Sequence, residues 1–342
     1  MKALFIGGTG TISMGIVRQL AARKDWEVWL LNRGNRSAEV PEGIHTITAN
    51  IQDEADVLAK IGDMTFDVVG EFIGFTVDQV ERDVRLFRGR TRQYIYISSA
   101  SAYHKPAADY RVTEGTTLAN PHWEYSRNKI ACEEYLMKEY REHGFPVTIV
   151  RPSHTYDERS MPMGVHGAKG SWQVIRRMMD GKPVIIHGDG TSLWHLTFNT
   201  DFAVGYIGLM GNRHAIGEAF QITGDEVLTW NQIYATIADA LGVELHAVHM
   251  SSEFLAAAAE RMGYDFEGGL IGDKAVSVWF DNAKLKRLSP KMTTTVPFHD
   301  GARIVLNYVM AHPECQVEDP AFDAWCDRLI AAREKAIEEI LA

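Results

Sequence analysis

The chain has 342 residues, of which 46% are apolar and 23% charged, and its formal net charge is -10. That length supports a large buried core, the composition excludes a disordered or membrane-embedded class, and the acidic balance argues against broad contact with nucleic-acid phosphates. Its 3 cysteines, Cys132, Cys315 and Cys326, are odd in number and lack Cys-x-x-Cys spacing, which speaks against a disulfide scaffold or a zinc site and for a reducing compartment. No stretch reaches the length of a membrane span, and the start of the chain lacks the long apolar run of a secretion signal, so a cytoplasmic protein without membrane contact is expected.

In chain order, short β-branched or apolar runs at 3–6, 27–31, 45–48, 67–69, 93–98 and 146–150 alternate with amphipathic stretches at 14–23, 54–61, 77–88 and 125–143. Runs of this kind are strands buried on both faces, and the alternation predicts an α/β fold with a parallel, doubly wound Rossmann sheet. After Arg151 the rhythm changes. The stretch "RPSHTYDERSMPMGVHGAKGS" is expected to be a long loop, of the kind that often serves as a lid, before the helical "WQVIRRMMDG". A strand at 183–187, the turn "GDGTS", a run at 193–198, a helix at 201–209, a strand at 219–223, a helix at 229–241 and a long charged helix at 320–341 complete the expectation. The charges of "REKAIEEI" in that last helix are expected to form a solvated face.

The first strand runs into "GGTGTISMG", which then opens a helix. In that context Gly7 can make a tight turn, Gly10 can let the backbone approach a pyrophosphate, and the amides at the helix start, from Thr11, Ile12 and Ser13, can bind the anion. Ser13 stands where the pattern has its third glycine; it is small enough for close packing, with Gly15 nearby, and its hydroxyl is expected to face the pyrophosphate. The second strand ends "WLLNRGNR". Asn32 replaces the acidic residue that selects the ribose hydroxyls of NAD, and Arg33 and Arg36 follow, which favours NADP over NAD.

"YSRNKIACEEYL" sets Tyr125 and Lys129 one helical turn apart on the same face. A nearby ammonium stabilises a phenolate, so such a pair can act as a base near neutral pH. The apolar strand in "YIYISSASAYHKP" delivers Ser99 to its carboxyl end, where open α/β sheets bind ligands. Taken in order with "VRPSHTYD", "GDGTSLWHLTFNTDFA" and "DNAKLKRLSPKM", these motifs resemble those of the extended short-chain dehydrogenase/reductase superfamily, the group of the NAD(P)-dependent sugar epimerases and dehydratases.

The resemblance implies that Tyr125 is the acid/base, that Lys129 lowers its pKa and holds the cofactor ribose, and that Ser99 bonds the reacting oxygen. It also implies that Gly7, Gly10 and Ser13 frame the pyrophosphate and that Ile51, after Asn50, covers the adenine. Phe72 and Ile73 of "GEFIG", and Pro152 and Ser153 beside the nicotinamide, complete the cofactor set. It further implies an NAD(P)-binding domain at 1–155, with parts of 190–224 returning to it, and a substrate-binding domain at 156–189 and 225–342. Pairing of the helices at 77–88 and 125–143 would make a homodimer.

Several residues depart from the family pattern. Ala100 and Ser101 stand where the sugar dehydratases carry an acidic pair, so elimination by that route is not expected. His154 replaces a substrate-binding Asn, and Trp194 and His195 replace an Arg–Asp pair that commonly meets a nucleotide diphosphate. The substrate candidates are therefore Ser101, Tyr103, His154, Trp194 and His195. An indole suits stacking on a sugar face rather than diphosphate binding, or it fills the core, whereas Arg176 or Arg177 could serve a nucleotide sugar instead. His246 and His249 of "HAVH" have helix-face spacing but no carboxylate partner, and no metal is expected. Three functions remain open: a redox epimerase acting on a sugar or nucleotide sugar, an NADPH-dependent reductase or dehydrogenase, and a noncatalytic RNA-binding relative like the chloroplast stem-loop proteins.

Overall fold

The computed structural model describes residues 1–35 and 39–342. Arg36, one of the two arginines after the second strand, lies outside the described residues. The chain divides into two compact units, one of 1–155, 197–225 and 280–295, the other of 156–196, 226–279 and 296–342.

The first unit is an α/β Rossmann fold. Its strands are β1 (Lys2–Ile6), β2 (Glu27–Asn32), β3 (His45–Thr48), β4 (Val68–Glu71), β5 (Tyr94–Ile97), β6 (Val147–Pro152) and β7 (Ala219–Ile222). Its main helices are α1 (Thr11–Ala21), α2 (Glu54–Ile61), α3 (Val77–Phe87), α4 (Glu124–His143), α5 (Asn199–Leu209) and α6 (Ala283–Leu288). The strands form one sheet in the order β7-β6-β5-β4-β1-β2-β3, every neighbouring pair parallel. The chain winds outward from β1 to β3, returns to β4 beside β1, and winds outward the other way. The reversal leaves a crevice at the carboxyl ends of β1 and β4, where such sheets bind ligands.

Both faces of the sheet are covered, which is why its strands read as unbroken apolar runs. Ala3, Phe5, Val28, Leu30, Val68, Ile95 and Val150 face α1 and α5, while Leu4, Ile6, Leu31, Val69, Tyr94, Tyr96 and Ile149 face α2, α3 and α4. The crossing of α1 on α5 is close. A Cβ on Gly15 would lie 2.5 Å from the Asn199 carbonyl oxygen. The glycine that permits tight packing in this loop and helix is therefore Gly15, two positions after Ser13.

The segment 280–295, expected with the second unit, clusters with the first. Asn282 explains this: its side-chain amide donates to the Thr223 carbonyl at 2.8 Å, just after β7.

The second unit holds the helices Trp172–Met179, Trp230–Leu241, Ser252–Glu260, Phe298–Ala311 and Pro320–Leu341, with a π-helical stretch at Glu267–Lys274. Three expectations are corrected there. The stretch after Arg151 is no loose lid: Met161, Met163 and Val165 are buried, and Ser171 Oγ and Tyr234 Oη accept hydrogen bonds from the Met161 and Val165 amides. His249 lies in a strand, Ala247–Met250, parallel to Val184–His187, and its Nε2 is 2.7 Å from Asn231 Oδ1. Arg177 is buried against Asp323, Asp327 and the Pro183 carbonyl, so its guanidinium is committed to structure, while Arg176 makes an exposed pair with Asp180. Among the described residues no helix is long and apolar enough to cross a membrane.

Candidate active site

The crevice holds a cleft of about 320 Å³ lined entirely by the first unit. One wall is the turn after β1. Gly7 adopts a φ of +82°, in the left-handed region, and a Cβ there would also come 2.5 Å from Ile73 Cγ2. Gly10 caps α1, and Thr11, Ile12 and Ser13 line the cleft, so the positive end of the helix dipole faces it. Ser13 does not turn its hydroxyl outward as expected. Its Oγ accepts from the Gly10 amide and donates to the Gly7 carbonyl, both at 2.9 Å, so the side chain closes the turn from inside.

The opposite wall comes from the ends of β4, β5 and β6 and from the first turns of α4. The i,i+4 spacing puts Tyr125 and Lys129 on one helical face, and both line the cleft. Lys129 is 1% exposed, and its Nζ donates to the Gly74 and Ile97 carbonyls, each at 2.7 Å. The ammonium also lies 4.7 Å from the Phe75 ring centre, 4.8 Å from that of Tyr96 and 5.8 Å from that of Tyr125. Burial pulls its pKa down from 10.5 to about 8. It is thus mainly charged at neutral pH, beside the Tyr125 ring.

Ser99 follows β5. Its Oγ accepts from the Ser101 amide at 3.1 Å and lies 2.8 Å from Ser101 Oγ, which in turn accepts from the Ser126 hydroxyl at 2.7 Å. Ser101, expected to meet substrate, is instead buried as the support of Ser99, with its carbonyl held by Asn120. Tyr103 is corrected likewise: it is 0% exposed, donates to Gln221 at 3.1 Å and accepts from Arg151 at 3.2 Å. Arg151 forms a buried ion pair with Glu133, whose Oε1 also accepts from Ser98. This network stiffens the floor under Ser99.

Of the expected cofactor residues, Gly7, Gly10, Thr11, Ile12, Ser13, Phe72, Ile73, Tyr125, Lys129, Pro152 and Ser153 line this cleft together with Ser99. Asn32, Arg33, Asn50 and Ile51 are not in its lining. Asn32 Oδ1 accepts from the Gly34 amide, Asn50 Oδ1 from the Gln52 amide, and Arg33 is exposed where β2 ends. Ile51 is buried in the core over α2, which explains its absence from the wall. His154 is half-buried at the edge of the first unit, outside the lining. In the second unit Trp194 and His195 are buried, the Trp194 ring tilted against Trp230 at 5.9 Å, so the indole fills a core. Sequence reading missed Phe75, Ile97 and Ser98 as lining residues; the apolar extension of "GEFIGF" was the available signal for Phe75.

The residues present fit a nicotinamide dinucleotide. The turn from the left-handed Gly7 to Gly10 lines one wall, a helix N-terminus faces the cleft, and an ammonium stands at its far end. Among the described residues no cluster of His, Cys, Asp and Glu is arranged to hold a metal.

The family model described as the NAD dependent epimerase/dehydratase family matches residues 3–223. The chain is 25% identical over 293 residues to a 2'-dehydrokanamycin reductase from Streptomyces kanamyceticus, covering 85% of this chain and 79% of that protein. It is 24% identical over 254 residues to a chloroplast stem-loop binding protein of 41 kDa from Arabidopsis thaliana, covering 70% of this chain and 63% of the relative. In fold it resembles the crystal structure of a UDP-glucuronic acid 4-epimerase from Bacillus cereus in complex with UDP-glucuronic acid and NAD. That likeness has a TM-score of 0.70 at 19% identity and covers 91% of this chain and 99% of that one.

Proposed function

We propose, from the premise that this chain belongs to the NAD-dependent epimerase/dehydratase family, that it is a redox epimerase-type enzyme acting on a hydroxyl or keto carbon of a sugar or nucleotide sugar. The observation that carries this reading is the convergence of Ser99, Tyr125 and Lys129 with the Gly7–Ser13 turn in one cleft. A nicotinamide bound there supplies a hydride acceptor or donor. Tyr125 takes the substrate hydroxyl proton on oxidation and returns it on reduction, and the Lys129 charge favours its phenolate. Two of the three ammonium N–H groups go to the Gly74 and Ile97 carbonyls, which leaves one for a ribose hydroxyl.

Ser99 donates to the substrate oxygen and stabilises charge developing on it. The hydroxyl chain gives that donation a direction. Ser126 donates to Ser101, which lets Ser101 pass its own proton to Ser99; in that arrangement, with the Ser101 amide also donating, the one Ser99 proton is available to the substrate oxygen.

A second reading, an NADPH-dependent reductase of a keto sugar or other carbonyl, is favoured by Asn32 and the exposed Arg33 at the end of β2 and by the kinship to a reductase. Denaturing the purified protein and identifying released nucleotide separates the two. Retained NAD supports the epimerase, and an empty site that binds NADPH reversibly supports the reductase. Failure to bind either nucleotide refutes both and favours a noncatalytic role such as the RNA binding named for the chloroplast relative. The net charge of -10 argues against that role. We place the protein in the cytoplasm as a homodimer paired through α3 and α4; a monomer in light scattering removes the dimer.

A further inference from the structure

Two carboxyl groups are buried together behind the cleft. Glu71, the last residue of β4, and Asp83 of α3 are each 0% exposed, and their side chains interact directly. Asp83 is well supplied with donors. Its Oδ1 takes the Arg82 guanidinium at 2.8 and 2.9 Å, and its Oδ2 takes the Tyr94 hydroxyl at 2.8 Å. Glu71 Oε1 takes the Ile73 amide at 2.5 Å, while its Oε2 meets no donor among the described residues.

The charged and titratable groups around Glu71 are Asp83 and Arg82 from α3, Lys129 from α4, Tyr94 from β5 and Tyr206 from α5. Arg82 bonds Asp83, and the Lys129 ammonium is engaged with the Gly74 and Ile97 carbonyls. A second bare carboxylate here would be desolvated, repelled by Asp83 and left with one oxygen unbonded. A proton on the Glu71 carboxyl removes the charge and supplies a donor for the neighbouring Asp83. Burial and the Asp83 charge both push the Glu71 carboxyl well above its ordinary range.

We infer that Glu71 is a neutral carboxylic acid that clamps the 72–75 segment by donating to Asp83 and accepting from Ile73, and so serves as a positioning residue for nicotinamide nucleotide binding. The segment touches both walls of the cleft. Ile73 packs over the Gly7 turn, and Gly74 lies on the Glu71 side chain, 3.1 Å from its Cγ to a would-be Cβ, while its carbonyl holds Lys129. The clamp therefore sets the glycine turn and the lysine from one point. The positioning role rests on the cofactor reading above, whereas the protonation state does not.

Two measurements on the full chain test it. Infrared spectroscopy at neutral pH is expected to show the carbonyl stretch of a protonated carboxylic acid in the wild type, lost in Glu71→Gln and shifted in Asp83→Asn. Absence of that band from the wild type, or its persistence in Glu71→Gln, overturns the neutral acid whatever the cofactor. Fluorescence titration with NADPH and NADH is expected to give Glu71→Gln, an uncharged isostere, within about threefold of wild type, and Glu71→Leu about tenfold weaker because the Ile73 amide loses its partner. Wild-type affinity in a folded Glu71→Leu overturns the positioning role. Should that variant not fold, Glu71→Gln decides, since a tenfold loss there shows that the ionised form is required. If the wild type binds neither nucleotide, the cofactor reading falls and the positioning role with it, while the infrared band still decides the protonation state.

Discussion

Lys129→Met tests whether a buried positive charge stands beside Tyr125. In the folded protein burial lowers the Lys129 pKa from 10.5 to about 8, so between those values the unfolded chain keeps a proton that the folded chain has released. Stability must then rise with pH across that window, and the full cost of the buried charge is felt below pH 8. At about 1.4 kcal/mol per pH unit the cost near pH 7 is about 3 kcal/mol, of which about 2 kcal/mol is relieved by pH 9.5. Lys129→Met removes the titration. It also strips a donor from the Gly74 and Ile97 carbonyls, but that loss is independent of pH and cancels when the two pH values are compared. Urea unfolding of both proteins at pH 7 and pH 9.5 is the assay. The wild type is expected to gain about 2 kcal/mol relative to the variant on going to the higher pH. An equal difference at both pH values would refute a depressed lysine pKa, and with it the tight packing of Lys129 among Phe75, Tyr96 and Tyr125.

Other outcomes follow from the same geometry. Tyr125→Phe is expected to lower turnover by about 10²- to 10⁴-fold, with nucleotide affinity within a few-fold of wild type; unchanged turnover on a converted sugar would remove Tyr125 as the acid/base. Ser101→Ala breaks the hydroxyl chain behind Ser99, and kcat should fall about tenfold with KM nearly constant, an effect that Ser101→Thr should largely restore. Gly15→Ala would place a Cβ 2.5 Å from a backbone oxygen of α5, at a cost of about 1–3 kcal/mol that exceeds the helix-propensity gain of about 1 kcal/mol. A higher urea midpoint for that variant would show that α1 and α5 are not so closely packed.

What could be read along the chain were the features that depend on neighbours in sequence. The alternation of apolar runs with amphipathic stretches marked the strands and helices of the first unit to within a few residues, because a strand buried on both faces and a helix buried on one leave different periods. The strand, glycine turn and helix at 2–21 were legible for the same reason, as was the placing of Tyr125 and Lys129 on one face: an i,i+4 separation is a property of the helix itself.

The features that needed the fold are those whose partners lie far away in sequence. From sequence the Ser13 hydroxyl is expected to face the pyrophosphate, and only the folded turn brings the Gly7 carbonyl and Gly10 amide to it. Tyr103 found Gln221 and Arg151, Trp194 found Trp230, and Arg177 found Asp323 and Asp327, which turned three candidate ligand contacts into structural ones. Glu71 carried no signal of its own, since one acidic residue after an apolar strand says nothing about a second carboxyl 12 positions later on a packed helix. By itself the sequence determined the kind of fold and the spacing of the proposed Ser99, Tyr125 and Lys129 set, because both follow from local periodicity. Tertiary structure alone decided which polar side chains face the cleft and which are consumed in holding it, because burial and hydrogen-bond partners are set by segments that meet only when the sheet closes.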